Sequence, residues 1–273
     1  MKILLTGANG FIGKHVAEAL QRDGHELILV SRSTGNDFTQ MRHIDDWQPL
    51  LSKVDAVINS VGIIVENKKQ SFENIHAQAP IALFQAAANA GVKKIIQISA
   101  LGADDQAFTA YQRSKKKADD YLRQLEIDWC ILRPSLVYGE AGTSTKLFKR
   151  MATLVFIPVI GGGTQEIQPV HVEDLVSAII QALLGNCCRQ TVDIVGPEKM
   201  YFVTWLKRLR STAGKRATFT ISVPVSVVML FASFAKYFIP IMHPDNLSML
   251  IHGNTADCSG VSQLLQRKPR HVP

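Results

Sequence analysis

The sequence predicts an α/β fold in which a parallel sheet is covered by helices on both faces. Two observations predict it. Short apolar runs alternate along the chain with longer segments of helical period, and a glycine-rich turn at Gly7, Gly10 and Gly13 follows the first run directly. Strand–helix alternation requires right-handed crossovers and a sheet buried on both sides.

Taken in order, strands are expected at Lys2–Thr6, 26–31, Ala56–Asn59, 94–99, 129–132 and 192–195. Helical period covers Phe11–Arg22, 72–90, 111–125 and 172–184. Gly24, Gly91 and Gly185 fall just past three of these helices, where a left-handed residue ends a helix at little cost. From 217 to 235 no residue is charged, and Pro224 suits the first turn of a helix over 225–237. The first expectation for that helix is burial. A peripheral membrane face spanning 207–242, helped by the basic residues before it, ranks second, and a full span third.

Composition narrows the partners. Of 273 residues, 47% are hydrophobic and 19% charged, enough for one sizeable core without long disorder. A formal charge of +7 favours anionic partners. No aromatic residues alternate with a basic stripe, so no nucleic acid is expected. The four cysteines, Cys130, Cys187, Cys188 and Cys258, show no Cys-x-x-Cys spacing, and no secretory segment precedes the first strand. Free thiols, a cytoplasmic setting with the inner membrane face as alternative, and no metal site are the expectations.

The glycine turn carries the first chemistry. Gly7 turns out of the strand, Gly10 lets a diphosphate approach the backbone, and Gly13 lets the helix pack closely. The amides of Asn9, Gly10, Phe11, Ile12 and Gly13 then stand at a helix N-terminus suited to phosphate. This is a Rossmann-type doubly wound parallel sheet, with residues 1–140 as the dinucleotide-binding core. Residues 141–273 hold Pro158, Gly161-Gly162-Gly163, Pro169 and Pro197 among shorter elements. They are expected to form a small C-terminal substrate-side subdomain interleaved with the core, 172–196 returning to the sheet.

The string Thr6-Gly7-Ala8-Asn9-Gly10-Phe11-Ile12-Gly13 resembles the opening of extended and atypical short-chain dehydrogenases/reductases. A carboxylate at the end of the second strand would select NAD by binding the ribose hydroxyls. Here that strand ends in Ser31-Arg32-Ser33, and Arg32 with Ser33 suits a 2′-phosphate. NADP(H) is therefore expected over NAD(H). By the resemblance, Asp37 lies near the adenine, and Ser60, Val61 and Gly62 pass beneath the cofactor's ribose.

Ser99 ends the fourth strand, and Tyr111 and Lys115 follow at a spacing of four on a helix, which puts both on one face. A phenol is a poor proton carrier at neutral pH, and a neighbouring ammonium is expected to lower its pKa. Tyr111 would then exchange the substrate hydroxyl proton, Ser99 would orient the carbonyl oxygen, and Lys115 would hold the nicotinamide ribose. Further strings, Asp55-Ala-Val-Ile-Asn59, Ser99-Ala-Leu-Gly-Ala103, Leu132-Arg-Pro-Ser-Leu-Val-Tyr-Gly139 and Gln168-Pro-Val-His-Val-Glu-Asp-Leu175, resemble one atypical branch. It contains the nucleotide-binding accessory subunit of respiratory complex I and its bacterial relatives. The resemblance implies that Pro134 and Val137 lie against the nicotinamide. Arg133, His171, Asp174, His76 and Asn74 are expected to be structural, Asp174 by supporting the positive end of its helix, and Trp47, Trp129 and Trp205 to be packing residues.

The leading expectation is an NADP-dependent oxidoreductase that moves a hydride to or from a small, apolar carbonyl or alcohol. Its rivals are a cofactor-holding structural or assembly subunit of a membrane complex, and a redox sensor that binds NADPH without turnover. Epimerase or dehydratase chemistry on nucleotide sugars ranks lower, because the C-terminal part lacks an Arg-rich pocket for a sugar diphosphate.

Overall fold

A computed structural model describes residues 1–235 and 243–273. The central sheet contains β1 (Lys2–Thr6), β2 (Glu26–Val30), β3 (Ala56–Asn59), β4 (Lys94–Ile98), β5 (Asp128–Pro134) and β10 (Gln190–Ile194). All six are parallel, in the order β10-β5-β4-β3-β1-β2. Three short pairs lie outside it: β6 (Val137–Tyr138) beside β9 (Val170–His171), β7 (Ile157–Ile160) beside β12 (Thr220–Val223), and β8 (Glu166–Ile167) against β11 (Met200–Tyr201).

The helices are α1 (Phe11–Arg22), α2 (Ile44–Trp47), α3 (Ala79–Asn89), α4 (Ala110–Arg123), α5 (Thr143–Ala152), α6 (Val172–Gln181), α7 (Phe202–Thr212), α8 (Val225–Ala235), α9 (Pro244–His252) and α10 (Ser259–Leu265). Strand side chains alternate between the two layers. Ile3 and Leu5 face the layer of α1, α6 and α10, whereas Leu4 joins α3, α4 and Trp47 on the opposite face. A third cluster gathers Phe148, Ile157, Phe202 and Trp205 away from the sheet. It hangs on the carboxyl ends of β5 and β10, where Ser135 Oγ donates to the Gln168 carbonyl and Gln168 Nε2 donates to that of Gly196.

Several elements depart from the sequence reading for physical reasons. The expected helix over 72–90 opens with a wide π turn, Glu73–Gln78, before α3 begins. Pro80, in the first turn of α3, has no N–H to give the preceding turn, and the wider turn absorbs that loss. The expectation of four free thiols fails: Cys130 and Cys187 form a disulfide between β5 and the approach to β10, leaving Cys188 and Cys258 free. The strand β12 went unread, because Thr220 and Ser222 dilute its apolar pattern. Of the helix expected over 225–237, the last two residues lie outside the described residues, as does the end of the 207–242 stretch. Among the described residues no helix is long and apolar enough to cross a membrane.

Asp174 does more than support the start of α6. Its carboxylate is fully enclosed and takes the Arg267 guanidinium at 2.6 Å and the Arg270 backbone N–H at 2.6 Å. Arg133 ties Asp193 at 2.6 Å to Asp104 at 3.5 Å, and His171 accepts the Glu173 N–H at 3.2 Å. All three tryptophans are buried.

Candidate active site

The loop from β1 into α1 forms a cradle in which Gly7 and Gly13 leave no room for a side chain. Gly7 takes φ +69°, and a Cβ on Gly13 would stand 2.1 Å from the Gly7 carbonyl oxygen. The helix therefore begins directly against the loop. No side chain caps its first turn, and none there is acidic, so its leading amides are left for an anion. Phe11 and Ile12 pack against the core beneath. The residues present thus fit a dinucleotide's diphosphate.

Two neighbouring loops complete the cradle. Asn9 Nδ2 donates to Ser33 Oγ at 2.6 Å and to Ser31 Oγ at 3.1 Å, which ties the glycine loop to the turn after β2. Arg32 is exposed in that turn. Asp37, further along, accepts the Thr39 N–H at 3.0 Å and so closes a local turn of its own. On the other side Ser60 Oγ donates to the Thr6 carbonyl at 2.6 Å, and a Cβ on Gly7 would stand 2.9 Å from the Ser60 carbonyl carbon. Pro134, at the end of β5, accepts the Leu101 N–H, and Val137 is half-buried against the core.

Helix α4 brings the reactive groups together. Thr109 caps it by accepting the Gln112 N–H, with Gln112 reaching back, which fixes where the helix begins. Tyr111, Lys115 and Asp119 then follow at intervals of four on one face. The Tyr111 ring stands edge-on to His76 and Phe72, with centroids 5.2 and 5.8 Å away. Lys115 is buried and donates from Nζ to the carbonyls of Val61 at 3.1 Å and Ile98 at 3.0 Å. A Cβ on Gly62 would sit 3.3 Å from that ammonium, so the glycine keeps the space beside it open.

Ser99 points elsewhere than its sequence position implied. Its Oγ donates to the enclosed Asp119 carboxylate, which also accepts from Gln97 Nε2 at 3.3 Å. The chain of polar contacts continues across the sheet. Asn59 Nδ2 donates to Gln97 Oε1 at 2.7 Å, and Thr6 Oγ1 donates to Asn59 Oδ1 at 2.5 Å. Burial raises the Asp119 carboxyl, against the pull of Ser99 and Lys115, and burial lowers the Lys115 ammonium against the pull of Asp119.

The phenol shifts opposite to expectation. Burial, reinforced by the Asp119 charge, pushes Tyr111 up to about 12. Lys115 donates to two carbonyls and not to the phenol oxygen, so no hydrogen bond from it counters that burial. His76 is held neutral: burial and the Lys115 charge depress it well below its usual value. Its Nε2 accepts the Ile63 N–H at 3.0 Å, so Nδ1 carries the proton and gives it to Ser114 Oγ at 2.9 Å. Ser114 in turn donates to the Tyr111 carbonyl at 2.7 Å. Asp119 went unread in the sequence, although its interval of four from Lys115 was a usable signal.

The sequence matches the NAD dependent epimerase/dehydratase family over residues 3–186. It is 29% identical over 216 residues to the mitochondrial NADH dehydrogenase [ubiquinone] 1 alpha subcomplex subunit 9 of Arabidopsis thaliana, covering 70% of this chain and 53% of that protein. It is 27% identical over 190 residues to a ceramide reductase of Caulobacter vibrioides, covering 65% of this chain and 59% of the relative. The chain thus spans about half the length of the curated relatives it matches. The fold is similar to that of UDP-glucuronic acid 4-epimerase from Bacillus cereus, solved with UDP-glucuronic acid and NAD. That similarity has a TM-score of 0.72 at 22% identity and covers 100% of this chain and 95% of the other.

Proposed function

The chain belongs to the NAD dependent epimerase/dehydratase family, and from that premise we propose that it is an NADP(H)-linked oxidoreductase acting on a small, apolar carbonyl or alcohol. The observation that carries this reading is the α4 face, where Tyr111 stands one turn from the Lys115 ammonium beside the opening at Gly62. When bound, the dinucleotide supplies the hydride donor or acceptor. Gly7, Gly10 and Gly13, with the amides of Asn9, Phe11 and Ile12, hold its diphosphate. Arg32 and Ser33 take the 2′-phosphate, with no carboxylate between Glu26 and Asp37 to disfavour it. Asp37 lies on the adenine side, Ser60, Val61 and Gly62 under the ribose, and Pro134 and Val137 against the nicotinamide.

A phenol held near 12 stays protonated at neutral pH, which suits Tyr111 to give a proton to a forming alkoxide. Lys115 has two of its three protons engaged by carbonyls and keeps one for a ribose hydroxyl. Ser99, with its own proton committed to Asp119, acts chiefly by fixing the floor of the site.

The test is Tyr111→Phe. Turnover on any carbonyl accepted by the wild type falls roughly 10²–10⁴-fold, while NADPH affinity measured by calorimetry stays nearly unchanged. Equal turnover in the two proteins would overturn the assignment.

The mitochondrial complex I relative and the exposed apolar α8 favour a second reading. In it the chain is a cofactor-holding structural or assembly subunit, peripheral on the inner face of a membrane. Tight NADPH binding, co-purification with a membrane complex and no turnover on a broad carbonyl panel would select it.

A further inference from the structure

Two parts of the chain expose apolar side chains: the turn after α5 with Phe219 upon it, and the outer side of α8. The turn after α5 leaves Leu154, Val155 and Phe156 in solvent, Val155 at 75%. Phe219, 65% exposed, stacks obliquely on Phe156 with ring centroids 5.1 Å apart, and Thr218 Oγ1 donates to the Val155 carbonyl at 2.6 Å. The strand β12 pairs with β7, Thr220 against Ile157, and leads directly into α8. On α8, Leu230 and Phe231 are 63% and 68% exposed and share a face with Val227. The opposite side of the helix, through Val228, Met229 and Ala232, packs on Ile160 and on Leu247 of α9.

A helix that is apolar all round is normally enclosed, and here one face has no protein over it among the described residues. The charge along the stretch of sequence that contains α8 is of one sign. No Asp or Glu occurs between Glu198 and Asp245, whereas Lys199, Lys207, Arg208, Arg210, Lys215 and Arg216 do. Lys207, Lys215 and Arg216 are exposed. Arg210 ties this rim to the apolar turn by donating to the carbonyls of Leu154 and Arg216.

We propose that these exposed apolar side chains, Leu154, Val155, Phe156 and Phe219 with Leu230 and Phe231 of α8, dock the protein on the surface of an anionic lipid bilayer. The apolar side chains enter the acyl boundary, and Lys207, Lys215 and Arg216 meet the headgroup phosphates. Charge argues for lipid over a second copy of the chain. Two such surfaces together would bring their basic residues into contact, with no carboxylate between residues 199 and 244 to pair them. The eleven described residues of α8 are about 16 Å long, half the hydrocarbon thickness, and among the described residues no helix is long and apolar enough to cross a membrane. This inference is independent of the oxidoreductase reading, because Tyr111→Phe leaves the face untouched.

The test uses the full chain and sedimentation with vesicles of phosphatidylcholine alone or mixed with phosphatidylglycerol, at low and high salt. The wild type is expected to bind the phosphatidylglycerol vesicles roughly tenfold or more above the neutral ones, and to be released by salt. The double variants Leu230→Glu/Phe231→Glu and Lys215→Glu/Arg216→Glu alter exposed side chains and keep the wild-type melting profile. Each is expected to lose roughly tenfold or more of that binding. Absence of binding at low salt, or undiminished binding by either variant, overturns the proposal. So does a wild-type dimer in sedimentation equilibrium that Leu230→Glu/Phe231→Glu dissociates, which would assign the face to a second copy. Capture of an acidic protein with no affinity for the vesicles would also overturn it.

Discussion

Helices α3 and α8 are both eleven residues long, and both lack charged side chains, yet they sit in opposite surroundings. Ala79, Ala82, Leu83, Phe84, Ala86 and Ala87 of α3 are all buried, in one cluster with the sheet, Trp47 of α2 and α4. On α8 Ala232 is buried, while Val225, Val227, Leu230 and Phe231 remain open. The difference lies in the neighbours. A sheet offers a broad apolar floor to a crossover helix, whereas the cluster under α8, among the described residues, consists of Ile160 from β7 and one face of α9. Apolar composition says that a helix needs covering, and topology decides what covers it.

Substitutions at three positions would break or sharpen that contrast. Phe84→Ala should be the most damaging, lowering unfolding free energy by ~3–5 kcal/mol in urea melts, because the enclosed ring leaves a cavity. A loss below 1 kcal/mol would mean that α3 is not held as described. Leu247→Ala, in the thin layer under α8, should cost about 2 kcal/mol, since fewer neighbours lose contact. Leu230→Ser should stay within ~0.5 kcal/mol without lipid. Should it destabilise the free protein as much as Leu247→Ala, the outer face of α8 must be covered by protein after all.

The same contrast explains what could be read from the sequence. The elements β1, α1 and β3 were legible to the residue, because apolar runs there end at Thr6-Gly7, before Gly24 and at Asn59-Ser60. The face shared by Tyr111 and Lys115 was legible because a helical interval of four is a local property. The relay from Thr6 through Asn59 and Gln97 to Asp119 and Ser99 was not. It depends on the parallel register that sets Thr6 beside Asn59 and Asn59 beside Gln97, which no local pattern encodes. The Cys130–Cys187 pairing likewise joins residues 57 apart, on elements brought together only by the return of β10 to β5. Leu154, Val155 and Phe156 were passed over because an apolar run into a strand looks the same whether it ends up covered or bare.

The clamp on Asp174 has a consequence for the order of events during translation. Its two partners lie 93 and 96 residues downstream, so α6 emerges from the ribosome long before Arg267 and Arg270 exist. At cellular elongation rates that gap lasts roughly 5–20 s. An enclosed carboxylate without its cation is strongly disfavoured, so the nascent sheet must wait, with the start of α6 still wet, until those arginines arrive to seal it.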